Sequence, residues 1–221
     1  MLPLAKRTIR LLAIAIVSPL LLTHWLGSWV SGADRSLESH SQFLSLIPGT
    51  TGSYLRVAFY RFALAHCDPS VTIGFGVLFS KTAARLEQNV YIGPRCMLGW
   101  VRLGPDVLLG PAVQIPSGPH THGVARLDVP IREQPGSPRC IDVGADSWVG
   151  AGAMILADVG AQCVVGGGSI VTKPTRPRTI SAGIPAREIG KRGEATTLPE
   201  RPQGTESPVT QADEVRAERI G

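Results

Sequence analysis

Two imidazoles one residue apart, His120 and His122, stand in the segment Pro116-Ser117-Gly118-Pro119-His120-Thr121-His122. A histidine titrates near neutrality and can take a proton from an alcohol as that alcohol attacks an acyl carbon, a role commonly worth about a hundred- to ten-thousand-fold in rate. The surrounding glycine and prolines read as a loop, which continues through Arg126, Asp128, Arg132 and Glu133 to Ile141. Loops leaving a rigid scaffold are where reactive groups are usually displayed. Either imidazole suits the role of base. His24, His40 and His66 read as solvated loop histidines. Cys67, Cys96, Cys140 and Cys163 lie far apart with no C-x-x-C pair, which argues against a zinc knuckle or a thioredoxin-like site and for reduced thiols in the cytosol.

The scaffold that must hold this loop is written as a beat of six. Apolar anchors fall in blocks: Ile73 and Phe79; Leu86, Ile92 and Leu98; Leu103, Leu109 and Ile115; Val143, Val149 and Ile155; Val159, Val165 and Val171. Glycine follows most of them, and a small or β-branched residue stands four positions after an anchor, as at Cys96, Ser147, Ala153, Cys163 and Ser169. A helix needs a period near 3.6 and a half-buried strand needs strict alternation, so neither gives six. A stacked coil of short strands does, with anchors pointing inward and the glycine, lacking a Cβ, making the tight corner. The stretch Ala157-Asp158-Val159-Gly160 is two residues shorter than a full hexad.

The amino-terminal third differs. Lys6, Arg7 and Arg10 precede an apolar run over 11–30, long enough to cross a bilayer, with Trp25 and Trp29 at its far end. Four placements are open: a span, a hairpin re-entering around Pro19, an interfacial segment, or a cleaved leader with Ser31-Gly32-Ala33 at the cut. A second apolar stretch, 43–65, places Leu55, Phe59, Phe62 and Ala63 at helical spacing and reads as an amphipathic helix, on a membrane or capping the first coil. The net charge of +5 comes from scattered Lys and Arg with no aromatic-interleaved basic run, which argues against nucleic acid and suits an anionic membrane or a phosphorylated ligand. From Gly190 the chain is polar and lacks the repeat, so a disordered tail is expected, with a short helix possible over 212–220.

Four segments together carry a resemblance: the hexads, the histidine loop, Ser147-Trp148-Val149-Gly150-Ala151, and a terminal signature running from Val164 through Lys173 to Ala182-Gly183-Ile184-Pro185-Ala186-Arg187. The chain resembles the hexapeptide-repeat acyltransferases, in particular the sugar O-acetyltransferases related to galactoside, maltose and nodulation-factor acetyltransferases. The resemblance covers about Cys67 to Arg187 and implies a mainly β protein, a left-handed parallel β-helix over 67–189; the residues themselves add a membrane-associated helical segment over 1–66 before it and the tail over 190–221 after it. It further implies a homotrimer with its active site between neighbouring prisms and acetyl-CoA as co-substrate, with no metal. By match to the family's motifs, His120 or His122 is the general base for direct transfer, and the backbone N–H of Ala151 stabilises the oxyanion. Trp148, Gly166, Gly168, Ser169, Thr172, Lys173 and Arg187 bind the donor.

The expected activity is acetylation of a sugar hydroxyl of a cell-surface polysaccharide or its precursor at the cytoplasmic face of the membrane. Acetylation of a natural product or antibiotic is the alternative, and a non-catalytic trimeric scaffold a further one. Zinc-dependent carbonic anhydrases use the same coil, but such a site needs three histidines around one metal and the repeat region offers two.

Overall fold

The computed structural model describes residues 2–194, in which three helices precede a coil of short strands. The expected tail beyond 194, including the helix over 212–220, lies outside the described residues. The chain visits three sheets in turn. Sheet A holds β1 (His66–Cys67), β4 (Arg85–Leu86), β7 (Val101–Leu103) and β10 (Ile141–Val143). Sheet B holds β2 (Thr72–Ile73), β5 (Tyr91–Ile92), β8 (Leu108–Leu109), β11 (Trp148–Val149), β13 (Val164–Val165), β15 (Thr179–Gly183) and β16 (Ala186–Lys191). Sheet C holds β3 (Leu78–Phe79), β6 (Met97–Leu98), β9 (Gln114–Ile115), β12 (Met154–Ile155) and β14 (Ile170–Val171). Neighbours pair in parallel, apart from the terminal hairpin β15–β16. That hairpin carries ordered chain past Gly190: Arg192 N–H donates to Arg178 O, and the Arg192 guanidinium pairs with Asp146.

Because each strand is so short, one residue faces in and its predecessor faces out. The anchors stack in register, Ile73 on Ile92 on Leu109 and Val149 on Val165, and all are buried. The small positions fill the corners, with Cys96, Ser147, Ala153, Cys163 and Ser169 each at most 1% exposed. Burial pushes the Cys96 thiol up to about 11, so it behaves as a small hydrophobe.

The glycine after each anchor has a different cause from the expected one. None of these glycines has positive φ; instead a Cβ on Gly93 would lie 2.7 Å from Gly110 C, and one on Gly144 2.4 Å from Ala161 N. Most are glycine because the next coil's backbone passes too close, while at Gly166 the nearest atom is the Ala182 Cβ at 3.0 Å. The left-handed corner falls three residues after the anchor, where Asn89, Arg95, Asp106, Ala112, Asp146 and Gln162 adopt φ between 53° and 61°. At the shortened turn Val159 makes only a single bridge to Val143, and the Asp158 carboxylate fills in by accepting from Asp142 N–H at 3.0 Å.

The helices cap the open end of the coil, the second of the two roles expected for 43–65. α2 (Ala33–Ser45) satisfies three backbone donors of the first coil: Thr82 N–H by Asp34, Phe79 N–H by Ser41 Oγ and Gly76 N–H by Ser45 O. α3 (Gly49–Ala63) buries Leu55, Phe59 and Ala63 and leaves Phe62 exposed. Its Arg56, 1% exposed, donates to Leu44 O, Ile47 O and Ile73 O, tying both helices to β2. Pro48 separates the two helices, as an unbonded N–H at a helix start allows.

α1 (Leu2–Ser31) runs unbroken through Pro19, so no hairpin forms there. The Ser18 hydroxyl donates to Ala15 O, the carbonyl that Pro19 leaves without its helical partner. Ala13, Val17, Leu21 and His24 pack against α2 and α3, while Leu12, Ile16, Leu26 and Trp29 stay exposed. By length and hydropathy α1 is a candidate membrane span. His24 and His40 are not the solvated loop residues expected: His24 is buried, bonded to Ser36, and both rings pack on Phe59.

Candidate active site

The one long interruption of the coil leaves sheet C after Ile115 and returns to sheet A at Ile141. It folds back on itself. Ser137 N–H donates to His120 O at 2.6 Å, Arg139 N–H to Ser117 O at 2.9 Å, and Gly123 N–H to Gln134 O at 3.4 Å. Its centre is Gln134, 7% exposed, whose amide donates to Arg126 O and Val129 O and accepts from Arg126 N–H. Its root is held where the buried Ser117 Oγ accepts from Trp100 N–H and where Arg139 pairs with Asp158 at 3.2 Å. A Gln in a polar stretch carries no sequence signal for that role. Asp158 had one, since it sits in the shortened turn.

This strapping fixes the loop backbone while leaving both imidazoles in solvent; His120 and His122 are exposed and neither ring bonds another described residue. Beside the loop, a groove of about 430 Å³ follows the outer face of sheet C, lined by Leu78, Met97, Gln114 and Met154, with Thr121 of the loop and Glu38 of α2 at its rim. The period of six placed these residues outward, but nothing in the sequence marked this face as a groove.

The remaining predicted site residues divide between the two edges of sheet C. At the edge shared with sheet B, the turn after β11 presents Ala151, whose O accepts from Gly168 N–H at 2.8 Å. The exposed turn after β13 brings Gly166, Gly167 and Gly168 directly above it, with Gly168 at φ 67°. Gly166 lies under Ala182, which pairs with Arg187 across the terminal hairpin. The Ser169 hydroxyl accepts from Gly183 N–H at 3.1 Å and is buried, so it holds the hairpin to the turn. Trp148 stands outward on sheet B, 54% exposed, on the same coil as Ala151. Thr172 and Lys173 follow β14 at the opposite edge, the one from which the histidine loop departs, and both are exposed.

Among the described residues the Ala151 N–H has no acceptor, as is also true of Gln88, Ala145, Ala161 and Gly167 two residues after other anchors, while Pro94, Pro105 and Pro111 there have no donor; Ala151 differs in lying directly under the glycine turn 166–168. A free backbone donor beside a glycine turn can bind developing negative charge whatever its side chain. Among the described residues no three His, Cys, Asp or Glu side chains group closely enough to hold a metal ion.

No protein-family model and no curated protein matches this sequence. Solved structures do. A maltose O-acetyltransferase from Clostridium difficile 630 superposes with a TM-score of 0.58 at 20% identity, over 73% of this chain and 89% of that one. A galactoside acetyltransferase in complex with coenzyme A gives 0.55 at 21% identity, over 73% and 82%. A variant of AntD, an N-acyltransferase from Bacillus cereus in complex with dTDP and coenzyme A, gives 0.50 at 16%, over 57% and 72%. With the repeat, the three-sheet coil and these superpositions together, the chain has the hexapeptide-repeat β-solenoid fold of CoA-using acetyltransferases.

Proposed function

We propose that the protein is an acetyl-CoA-dependent O-acetyltransferase that esterifies a sugar hydroxyl of a cell-surface polysaccharide or its precursor, working as a homotrimer of left-handed prisms. His120 takes the proton from the acceptor hydroxyl, with His122 as the second candidate, and the freed oxygen attacks the thioester carbonyl. Ala151 N–H receives the oxyanion, and collapse expels the thiolate of coenzyme A, which recovers a proton from the imidazolium. Gly166, Gly168 and Arg187 lie along the donor, with Ser169 holding their turn; Trp148, Thr172 and Lys173 meet the donor of an adjoining prism.

The observation that carries this reading is the pairing of two half-sites on one acetyltransferase-type coil. An unoriented imidazole sits on a strapped loop at one edge of sheet C, and an unused N–H beside a glycine turn sits at the other. Stacking prisms side by side brings one chain's loop to a neighbour's turn. Membrane association is the reading supported by α1, whose outer face keeps Leu12, Ile16, Leu26 and Trp29 exposed while its inner face packs on the protein. The helix then lies in the cytoplasmic interface and the prism stays with its donor.

Labelled acetyl-CoA supplied with candidate glycans to the purified full chain tests the proposal. His120→Ala is expected to lower kcat about 10²- to 10⁴-fold with little change in KM for acetyl-CoA. Undiminished turnover in the His120→Ala/His122→Ala double variant sinks it.

A further inference from the structure

A second cavity, of about 310 Å³, lies far from the histidine loop, between α1, α3 and the first coil. Three cations line it: Lys6 and Arg10, one turn apart on α1, and Arg61 at the end of α3. Like charges spaced four residues apart on a helix repel, and a third brought across from another helix adds to the cost. Among the described residues no carboxylate comes within ion-pair distance of any of them. Asp68 has an electrostatic link to Arg10; burial raises its carboxyl, but hydrogen bonds from Ser70 and the charges of His66 and Arg10 bring it below its usual value. Its oxygen already accepts from the Ser70 hydroxyl and N–H.

The rest of the lining is not that of a purely ionic site. Val57 and Val71, 8% and 5% exposed, and the half-buried Ile14 give an apolar floor. The Tyr54 and Thr50 hydroxyls at the wall make no hydrogen bond to any described residue. Three positive charges set against one carboxylate leave about two unmatched, the charge of a phosphate monoester at neutral pH. The volume stands at the low end of small-molecule sites, roughly 300–1,000 Å³, enough for a phosphate and the first methylenes of a chain but not for a whole lipid.

We propose that this cavity is a binding site for a phosphate-monoester amphiphile, the phosphate held by Lys6, Arg10 and Arg61 and the start of its hydrocarbon chain laid on Ile14, Val57 and Val71. The site is separate from the sheet C groove and does not depend on acetyl transfer. Binding is therefore read without turnover.

The experiment is calorimetry of the full-length protein with dihexanoyl phosphatidic acid below its micelle concentration. One-to-one saturable binding is expected, weakened about tenfold or more by Arg10→Gln and by Arg61→Gln, since each removes a charge-assisted contact. Lys6→Gln, at an exposed position, supplies a third variant should either arginine substitution lower the melting temperature. Arg7→Gln removes an equal charge from α1 outside the cavity and is expected to change affinity less than about twofold. Equal weakening by Arg7→Gln would mean diffuse attraction and overturn the site. Equal binding of dihexanoyl phosphatidylcholine would reduce it to an apolar groove and also overturn it. Glycerol 3-phosphate is expected to bind at least about tenfold more weakly, having no chain for the floor; equal affinity would assign the cavity to a soluble phosphate ester and remove the amphiphile.

Discussion

Gly150 lies outside the left-handed region, yet a Cβ built on it would stand 2.5 Å from Gly167 N. Gly168 is the reverse: its φ is 67° and nothing lies within 4 Å of its Cβ position. Gly150→Ala must push two coils apart and is expected to cost about 1–3 kcal/mol, the range for overpacking. Gly168→Ala faces only the backbone penalty that Ala112 already bears at the matching corner, about 1 kcal/mol. Urea unfolding of the two variants checks the order, and a larger loss for Gly168→Ala would show that corner strain, not coil spacing, selects glycine here.

Among the elements, the helical cap depends on two buried polar contacts. Among the described residues Arg56 has no carboxylate partner; burial lowers its pKa, and its charge is spread over the carbonyls of Leu44, Ile47 and Ile73. Arg56→Met strands these carbonyls and is expected to lower stability by about 2–4 kcal/mol. Thermal unfolding measures it; an unchanged Tm would mean that the carbonyls find other donors. Between α1 and α2, His24 is held neutral: burial first, and then the neighbouring His40, lowers its pKa from 6.5. A depressed folded-state pKa means that the unfolded chain binds the proton more tightly. The contribution of His24 is therefore complete above pH 6.5 and falls away as pH drops below it. Protection factors of the α1 amides, exchange rates corrected for the intrinsic pH dependence, are expected to fall between pH 7 and pH 5 in the wild type and to lose much of that dependence in His24→Gln.

On the scale of the molecule, the three faces of the prism differ. Sheet A turns His66, Arg85, Arg102 and Asp142 outward, with Arg102 and Asp142 paired at 3.0 Å. Sheet B turns out the ladder Tyr91, Leu108 and Trp148, which are 41%, 48% and 54% exposed. An apolar ladder of this kind suits the side-by-side contact between prisms proposed above. Leu108→Glu is expected to convert a trimer to monomers in sedimentation velocity and to abolish acetyl transfer with the fold intact. A monomer that still turns over would show that each chain holds a complete site.

Periodicity was enough to place the coil, because two-residue strands leave one inward position per corner and the anchors Ile73 through Val171 must recur to fill it. It marked the histidine loop and the shortened turn at Asp158 for the same reason, as departures from the beat. Composition gave 11–30 as apolar and helical but could not say against what it packs, since the same residues suit a bilayer or a protein. Tertiary structure decided that His24 is buried on Phe59, that Arg56 joins the cap to β2, and that Gln134 closes the loop; each depends on partners distant in the chain. It also separated His120, Thr172 and Lys173 from Ala151, Gly166, Gly168 and Arg187, because which edge of sheet C a residue occupies is set by where the chain turns in space rather than by its place in a motif.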